Sequence, residues 1–565
     1  MTPSKTAPSS FADAGVRIVF LGGLGEVGRN CFCLEVEDRI LVVDCGLMFP
    51  DDDMPGVDLV LPDFTYLRER ADQVEAVYLT HAHEDHAGAL AYMLGDVPAP
   101  IYGSALSLGM ARRRIEEARL LGQTSFHPIA TDGERRNIGP FDITFMPVTH
   151  SVPHAFAAAF HTPAGTIIHT GDFKIDLTPV DGRRTDLATL GSVARNEGCR
   201  VLLSDSTNAE NPGSTPSERS VGTGLRHVFR EHPDKRILVA SFASHLHRVE
   251  QVIDAARRNK RKIVLLGRSM VHNVALAREM GLMRINEDVF VSPEDAHKYA
   301  PGEICVICTG SQGEPMSALA LMAARSHRHL ELGVDDVVVI SAHAIPGNET
   351  NVGRVINSLH RAGATVVHGR QHGVHVSGHA SSDELRTMLN LVEPEWFIPV
   401  HGEMRQMATH AHIAKECGVD EDKILICEDG DAVTIGATLE VDRKSVPAGY
   451  VYVDGTVGDI GAGVLRDRKK LAEEGLVVVF AVVDVNRAEI VSGPEIVTRG
   501  WVYAEEAEGL LGEAAAAVSK ALVDALTDDV VELDALRRIT RKAVGSFITA
   551  KTKRRPQVIP VIVEV

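Results

Sequence analysis

Four potential metal ligands lie within six residues of this sequence, in the pattern H-x-H-x-D-H: His81, His83, Asp85 and His86. The apolar run before them, residues 74–79, predicts a strand, and the run after them, residues 87–94, predicts a helix. In an extended segment the first two histidines point the same way, whereas the aspartate and third histidine follow where the chain turns. Such a loop can hold two adjacent cations, and imidazole with carboxylate suits Zn²⁺ and also Mn²⁺. The alternative is a polar loop that merely happens to contain histidines.

More residues of the same kinds follow other predicted strands. His150 comes after the β-run 141–146, and Asp172 comes after the next such run. Ligands at the same ends of neighbouring strands converge in space. Asp44 ends the predicted strand 39–43 just before a glycine, and we expect its carboxylate to orient a metal-bound histidine. A simple turn aspartate would give the same local pattern.

Length and composition indicate several globular domains. At 565 residues the chain is too long for one core and fits about three domains. Its apolar content is 44%, and no stretch of about twenty apolar residues occurs, so no membrane association is expected. Residues 1–14 are small and polar, lack the apolar core of a signal peptide, and predict a disordered tail. The net charge of −19 disfavours a protein that coats nucleic acid non-specifically but leaves a nuclease open.

The cysteines predict a reducing compartment. Eight are scattered along the chain, several of them inside apolar runs. Cys305 and Cys308 have CxxC spacing, but no second pair accompanies them. We interpret them as core residues rather than as a zinc site or a disulfide, and we expect a cytoplasmic protein.

The metal-ligand pattern resembles that of a known superfamily. The H-x-H-x-D-H stretch, then His150, then Asp172 within a Thr-Gly-Asp sequence is similar to the metallo-β-lactamase superfamily, whose fold is an αββα sandwich. Asp205, between two serines after a predicted strand, resembles the first additional motif of the nucleic-acid-processing β-CASP branch. His379 and His401 match the second and third motifs, and histidine at the third resembles RNA-acting members. Over nearly the whole chain the likeness is to the bacterial ribonuclease J family.

The element pattern and this resemblance predict an α/β fold class. It comprises a metallo-β-lactamase αββα sandwich, an inserted parallel α/β β-CASP domain and a small α+β C-terminal domain. Strand-like and helix-like runs alternate over the predicted insert, as they do in parallel sheets. The expected ranges are 1–14 for the tail, 15–217 and 367–445 for the two parts of the sandwich, 218–366 for the insert, 446–465 for a linker and 466–565 for the last domain.

The resemblance implies a site for two metal ions. Two Zn²⁺ are implied, with Mn²⁺ or Mg²⁺ able to take their place, and such a pair can polarise a phosphodiester and acidify a bridging water. Asp85 counts both as a ligand and as a catalytic residue. One ion would take His81, His83, His150 and Asp172, and the other would take Asp85, His86, His401 and the same Asp172.

The resemblance also assigns roles around the metals. His379 matches the family's proton donor to the leaving oxygen, with Asp205 orienting it; the alternative is that His379 only binds phosphate. A run that ends at His379 resembles the family's pocket for a 5′-monophosphate, because glycine and backbone amides can surround an anion. Ser241 and Ser244 are candidate partners from the insert, or else ordinary helix-capping serines. The rest of the pocket would be His375, Val376, Ser377 and Gly378.

The last domain contains fewer candidate functional residues. In the family such a domain supports assembly, so a homodimer or homotetramer is implied. Asp53 and Asp454 are candidate ligands for one structural divalent ion such as Ca²⁺. The basic cluster 551–555 predicts a solvated edge rather than an RNA contact.

The resemblance implies a metal-dependent ribonuclease acting in RNA maturation and decay. The implied activity is 5′→3′ exonucleolytic with a preference for 5′-monophosphate ends, together with endonuclease activity and association with an RNA-degradation complex. Two alternatives stay open, a small-molecule metallo-hydrolase and a non-catalytic RNA-binding paralogue. The first would leave the insert and the His379–Asp205 pair without a role, and the complete ligand set counts against the second.

Overall fold

The computed structural model describes residues 15–51, 53–314, 316–345, 347–369, 372–455, 457–502, 508–528, 530 and 532–565. The predicted tail, 1–14, lies outside the described residues. The chain divides into two compact units. One comprises the residues up to Phe49 together with Val60–Tyr450, and the other comprises Pro50–Leu59 with Val451–Val565.

Strands and helices are numbered in chain order. The first stretch contains β1 (Val16–Gly22), β2 (Leu24–Gly25), β3 (Cys31–Val36), β4 (Arg39–Val43), β5 (Leu59–Pro62), α1 (Thr65–Arg68), β6 (Val74–Tyr78), α2 (Glu84–Ala87), α3 (Leu90–Asp96), β7 (Ile101–Ser104), α4 (Ala105–Glu117), β8 (Phe126–Ile129), β9 (Arg135–Ile138), β10 (Phe141–Val148), β11 (Ala155–Thr162), β12 (Gly165–His169), α5 (Leu187–Glu197) and β13 (Val201–Asp205).

The chain then forms a second group of alternating elements and returns to the first. The second group contains α6 (Arg219–Glu231), β14 (Arg236–Ala240), α7 (Leu246–Arg258), β15 (Lys262–Leu266), α8 (Arg268–Glu279), β16 (Ile304–Cys308), α9 (Ala318–Ala323), β17 (Asp336–Ile340), α10 (Glu349–Arg361) and β18 (Thr365–Val367). The returning stretch contains α11 (Ser382–Val392), β19 (Trp396–Val400), β20 (Gly402–Glu403), α12 (Met404–Glu416), β21 (Ala432–Ile435) and β22 (Leu439–Asp442).

Two sheets face each other across one apolar core. The first has the strand order β22-β21-β1-β3-β4-β6-β7-β8, and the second has the order β19-β13-β12-β11-β10-β9. Phe20, Phe32 and Tyr78 of the first sheet share a buried cluster with Phe145 and Phe156 of the second. Helices α5, α11 and α12 cover the outer face of the second sheet, and α4 packs against β7 and β8 of the first. This is the predicted αββα sandwich.

The inserted segment is a separate parallel sheet of order β15-β16-β14-β17-β18. Alternate side chains of each strand enter opposite layers, as expected for a sheet with helices on both faces. Ile237 and Val239 pack against α6, α7 and α8, whereas Leu238 and Ala240 pack against α9 and α10. The predicted parallel insert is therefore confirmed.

The second unit forms an α+β layer. It contains β23 (Tyr450–Asp454), β24 (Val457–Asp459), α13 (Gly461–Glu474), β25 (Leu476–Asp484), β26 (Glu489–Arg499), α14 (Glu508–Thr527), α15 (Leu533–Thr552) and β27 (Gln557–Glu564). Helices α14 and α15 cover one face of the sheet β26-β25-β27. No helix in the described part of the chain has the length and apolar character of a membrane span.

The range expected to be a linker, 446–465, contains regular structure instead. Strands β23 and β24 pair antiparallel there, and α13 begins at Gly461. The hairpin is only a few residues long, and the glycines around it hide its alternation from a sequence pattern.

A buried ion pair joins the start of α6 to α7. Arg248 donates to both carboxylate oxygens of Glu218, at 2.6 and 2.8 Å, and to the Ser341 carbonyl at 2.9 Å. Its side chain is 0% exposed. Burial alone would raise the pKa of Glu218, but the guanidinium overrides this and holds that pKa well below its usual range.

Replacing Arg248 with methionine should destabilise the insert by about 3–5 kcal/mol, because Glu218 is left as a buried, unpaired charge. Urea unfolding followed by circular dichroism would report this as a lower midpoint. Arg258→Met on the same helix is the matched control, since Arg258 pairs with Asp254 in solvent and its loss should leave the midpoint unchanged. Equal midpoints for the two variants would contradict the expectation.

Candidate metal centre

The predicted ligands come together where strands of the two facing sheets end. His81 and His83 follow β6, and Asp85 and His86 lie in the short helix α2 that begins after His83. The other three follow β10, β12 and β19: His150, Asp172 and His401. All except His83 and Asp85 are buried. Strand ends therefore bring together ligands from four separate parts of the sequence.

The first group of donor atoms consists of His81, His83, His150 and Asp172. Nδ1 of His83 lies 3.0 Å from Nε2 of His81 and 3.1 Å from Nε2 of His150. Oδ2 of Asp172 lies 3.6 Å from each of those two Nε2 atoms. One donor atom from each of the four residues lies within 4.8 Å of all the others.

The second group consists of Asp85, His86, Asp172 and His401. Nε2 of His86 lies 3.3 Å from Oδ2 of Asp172 and 3.5 Å from Oδ2 of Asp85. Nε2 of His401 lies 3.3 Å from the same Asp85 oxygen. Because Asp172 belongs to both groups, its carboxylate lies where it could bridge two cations.

Asp44 fixes the orientation of two of these rings. Its carboxylate accepts from the backbone and hydroxyl of Thr80 and from Nδ1 of His86, each at 2.8 Å. The Thr80 hydroxyl, having given its proton to Asp44, can accept from Nδ1 of His81 at 3.0 Å. Both rings thus carry their proton on Nδ1 and present the lone pair of Nε2. This geometry supports the role predicted for Asp44, and that role stays a prediction.

The other two Nε2 ligands are held in the same way. Nδ1 of His150 donates to the Gly378 carbonyl at 2.9 Å. The Thr207 hydroxyl donates to Asp205 at 2.7 Å and can accept from Nδ1 of His401 at 2.6 Å. Four histidines therefore turn Nε2 lone pairs inward, and His83 alone presents Nδ1.

The protonation states also suit cations. Burial lowers the pKa of His81 and of His150 well below the usual range, so both imidazoles are neutral. Burial would also lower the pKa of His401, but Asp172 and neighbouring carboxylates raise it to about 10. Neutral imidazoles converging on ionised carboxylates are the forms that bind metal, and protons held on His401 are those that metal binding displaces. The residues present fit a pair of divalent cations.

Close backbone approaches make two glycines necessary. A Cβ on Gly46 would lie 1.6 Å from the Asp85 carbonyl oxygen, and one on Gly378 would lie 2.9 Å from the His150 ring. Asp44 and His401 themselves adopt positive φ, at 59° and 53°. The site depends on strained or crowded backbone as well as on its ligands.

Three further predicted residues lie in two different settings. His379 lies beside the metal ligands, with Nδ1 2.7 Å from Oδ2 of Asp205. Asp53 and Asp454 instead pair with basic side chains, those of Lys469 and Arg468. In the described ranges no group of three candidate ligands includes either aspartate. The structural divalent ion therefore stays a prediction without geometric support.

Sequence reasoning missed the side chains that position the ligands. Thr80 and Thr207 each relay a hydrogen bond from an aspartate to a histidine, and Asn30 donates to the Asp85 carbonyl at 3.0 Å. Both threonines adjoin a predicted functional stretch in the sequence. That proximity in sequence was the one signal that could have indicated a role for these threonines. The hydrogen bonds that they relay are visible only in the folded structure.

Asp44→Asn should weaken metal binding about 10–100-fold, the usual effect of removing a partner that orients a ligand. Asparagine tolerates the positive φ, but its amide nitrogen cannot accept the proton of His86. Competition with a metal-sensitive dye would measure the affinity. Asp96→Asn, at an exposed ion pair with Arg68, is the control. Equal affinities for both variants would show that Asp44 does not organise the site.

Four family models match successive parts of the chain. "Metallo-beta-lactamase superfamily" matches residues 24–196, and "Ribonuclease J, beta-CASP domain" matches 234–359. "Zn-dependent metallo-hydrolase RNA specificity domain" matches 363–423, and "Ribonuclease J C-terminal domain" matches 463–565. Together they cover most of the sequence.

Characterised relatives match along nearly the full length. The chain is 40% identical to ribonuclease J2 of Bacillus subtilis, over 97% of this chain and 99% of the relative. It is 38% identical to ribonuclease J 1 of Streptococcus pyogenes, over 97% of each chain. A solved structure, a protein of unknown function from Enterococcus faecalis, shares the fold with a TM-score of 0.51 at 16% identity, covering 74% of this chain and 99% of its own. By its sequence relatives and its domain order, the chain belongs to the ribonuclease J family of the metallo-β-lactamase superfamily.

Proposed function

We propose that this protein is a two-metal ribonuclease that degrades RNA from the 5′ end, prefers a 5′-monophosphate and also cleaves internally. Family membership makes it a metal-dependent ribonuclease with RNA as its substrate. The 5′→3′ direction and the preference for a 5′-monophosphate are proposals beyond what family membership shows. The observation that carries them is the segment 374–379, which packs against both the metal ligands and the insert.

The two ligand groups would hold the ions. We propose Zn²⁺ in both, with Mn²⁺ or Mg²⁺ as substitutes, because the donors are imidazoles and carboxylates. When bound, such a pair supplies Lewis acidity that polarises a phosphodiester and lowers the pKa of the attacking water. The chain itself contributes the fixed ligand orientations and the shared carboxylate of Asp172.

His379 is the proposed proton donor to the leaving 3′ oxygen. Burial opposes protonation of this ring, but the adjoining Asp205 carboxylate outweighs burial and raises the pKa of His379. Nδ1 faces Asp205, which leaves Nε2 as the atom able to deliver a proton. The alternative role is phosphate binding by the same charged ring. Either role requires Asp205 to fix the imidazole.

Four of the six carbonyls of the segment 374–379 accept hydrogen bonds from protein donors. Val374 O accepts from the Ser341 hydroxyl at 2.6 Å, and Ser377 O accepts from the buried Lys174 ammonium at 3.2 Å. Gly378 O accepts from His150, and His379 O accepts from Thr215 at 2.7 Å. Bonds to the core and to the insert thus hold this segment from one side.

The amides of residues 374–378 are the proposed anion-binding groups. None of the N–H groups of residues 374–378 donates to another residue of the described chain. Ser377 Oγ accepts from Asn208 at 2.8 Å and from the His379 amide at 3.2 Å, so its own proton can go to a ligand. Carbonyls turned inward and amides left free make a nest for a terminal phosphate.

His375 and two serines of the insert, Ser241 and Ser244, complete the proposed pocket. Burial and then Arg248 hold the pKa of His375 well below its usual range, so this ring binds as a neutral hydrogen-bonding group. Ser241 and Ser244 lie in the loop before α7, whose Phe242 ring centre is 6.4 Å from that of His83. Neither serine caps α7, since the helix begins after His245. The capping alternative therefore loses its basis, and phosphate contact stays the proposal.

His83→Ala or Asp85→Ala should abolish RNA cleavage, because each removes a donor from a four-ligand group while leaving the apolar core untouched. Cleavage of labelled RNA and metal content of the purified variants would be measured together. Turnover near that of the parent, with unchanged metal content, would contradict the two-metal assignment.

Ser377→Ala should slow exonucleolytic cleavage of 5′-monophosphorylated RNA about tenfold or more, since a charge-assisted contact contributes about 1.5–3 kcal/mol. Internal cleavage should change less. Product lengths would be compared on 5′-phosphate, 5′-hydroxyl and 5′-triphosphate forms of one RNA. Ser358→Ala, which removes an exposed hydroxyl from α10, is the control. An unchanged end preference in the Ser377 variant would exclude the pocket.

The two alternative functions find less support. A small-molecule hydrolase has no use for a phosphate-sized nest that lies beside a metal centre and within an RNA-specificity domain. A non-catalytic paralogue would be expected to have lost ligands, whereas all seven lie in two overlapping groups. A cytoplasmic location and association with other RNA-degrading proteins stay predictions. The eight cysteines are free thiols, as a reducing compartment would keep them.

We propose a homodimer or homotetramer formed through the second unit. The face of the sheet β26-β25-β27 opposite the helices exposes apolar side chains: Phe480, Val497, Ile559, Val561 and Val563. An apolar sheet face of this kind is typical of an interface. Phe480 and Val561 are cross-strand neighbours at its centre.

Phe480→Glu with Val561→Glu should lower the number of chains per particle in light scattering, because it places two like charges in the proposed interface. Val464→Glu with Val523→Glu, at similarly exposed positions on α13 and α14, is the control. A particle size equal to the parent's would count against this face as the interface.

A further inference from the structure

Helix α15 and the loop after it hold an unusual concentration of positive charge. The chain as a whole carries 58 basic and 77 acidic residues. Residues 537–555 nevertheless contain no acidic residue. They contain Arg537, Arg538, Arg541, Lys542, Lys551, Lys553, Arg554 and Arg555, which together we call the α15 basic surface.

The fold turns all of these side chains outward. Helix α15 buries Leu536, Thr540, Val544 and Ile548 against the sheet. Every residue of the α15 basic surface is exposed. At about 1.5 Å per residue, its helical part extends roughly 20 Å along the helix axis, enough to face several phosphates of an extended strand.

Few of these charges are compensated. Arg537 pairs with Asp534 at 2.9 Å, and Lys551 pairs with Glu513 at 2.7 Å. Within the described ranges no carboxylate pairs with the side chains of Arg538, Arg541 or Lys542. The chain has more acidic than basic residues, yet these three side chains lack carboxylate partners among the described residues. On an ordinary solvated face, by contrast, opposite charges alternate.

Helix stability does not explain the arrangement. Basic residues in the last turn of a helix interact favourably with its dipole, which accounts for Lys551. The group at 537–542 lies in the first half of the helix, where that benefit is absent. The i,i+4 pairs 537/541 and 538/542 also repel each other. Binding of an anionic ligand therefore explains these like charges better than helix stability does.

We propose that the α15 basic surface is an RNA-binding site that contacts phosphates without reading sequence. The inference rests on the proposed function, which supplies RNA as the substrate. Arginine forks match phosphate oxygens, and the surface lacks the row of aromatic side chains that would stack bases. This proposal departs from the expectation that the cluster 551–555 is a solvated edge.

The test compares two triple variants with the same change in charge. Arg538→Gln, Arg541→Gln and Lys542→Gln together remove the uncompensated group. Arg466→Gln, Lys470→Gln and Arg487→Gln are the control, exposed in the same unit but interleaved with acidic residues. Each triple is placed in the full chain carrying His83→Ala, so that binding of a 40-nucleotide unstructured RNA can be measured without cleavage.

Affinity is measured across a range of salt concentrations. The test triple should bind the RNA on the order of tenfold more weakly, and the salt dependence of log K should become shallower by about 2, since each lost single-strand phosphate contact contributes about 0.7. The control triple should match the parent. Unchanged affinity and slope in the test triple would overturn the proposal and leave an acidic protein partner as the ligand. Equal losses in both triples would overturn it too.

Cleavage of a five-nucleotide RNA separates this inference from the proposed function. With His83 restored, the test triple should cleave this short RNA at the parent's rate, because the metal centre is untouched. If the parent itself does not cleave RNA, the proposed function fails whatever the binding result. A parallel loss of short-RNA cleavage and circular dichroism signal in the test triple would instead mean damage to the fold, and it would overturn the proposed site.

Discussion

The metal centre depends on hydrogen bonds that decide which nitrogen of each histidine is available. Asp44 holds His86 directly and His81 through Thr80, and Asp205 holds His401 through Thr207. Each bond fixes a proton on Nδ1 and leaves Nε2 for a cation. Without these hydrogen bonds, nothing would hold the Nε2 lone pairs of the buried imidazoles toward the cation sites.

The same network ties the metal centre to the segment that we propose binds RNA. Gly378 fixes His150 through its carbonyl, while its neighbours carry the free amides of the nest. His379 shares the Asp205 carboxylate that positions His401. A phosphate bound to the segment would therefore be held by the same backbone that orients a metal ligand. Under this proposal, binding of the RNA end and hydrolysis depend on the same backbone segment.

Sequence patterns predicted the parts of the fold that bury continuous apolar runs. The strand Arg39–Val43 has the bounds that the sequence predicted, and the strands of the insert alternate with helices as predicted. Strand β26 was missed, because charged and small residues interrupt its alternation. Helix α13 was missed because glycines surround its start. Pairing with β25, rather than local preference, forms β26.

The metal ligands were predictable because four of them share one loop and the others follow strand ends. The residues that orient them were not, because their function is a distance between parts of the chain far apart in sequence. Thr207 meets His401 across 194 residues, and Gly378 meets His150 across 228. Asp53 and Asp454 show the opposite case. Sequence chemistry alone indicated an ion there, whereas each carboxylate has a basic partner in the fold.

Titration of metal-free protein tests the account most directly. Zn²⁺ would be added to the metal-free chain while cleavage of a 5′-monophosphorylated RNA is followed. Two ligand groups that share Asp172 predict that activity reaches its plateau at two equivalents per chain. A plateau at one equivalent, or cleavage by the metal-free protein, would contradict a two-metal centre.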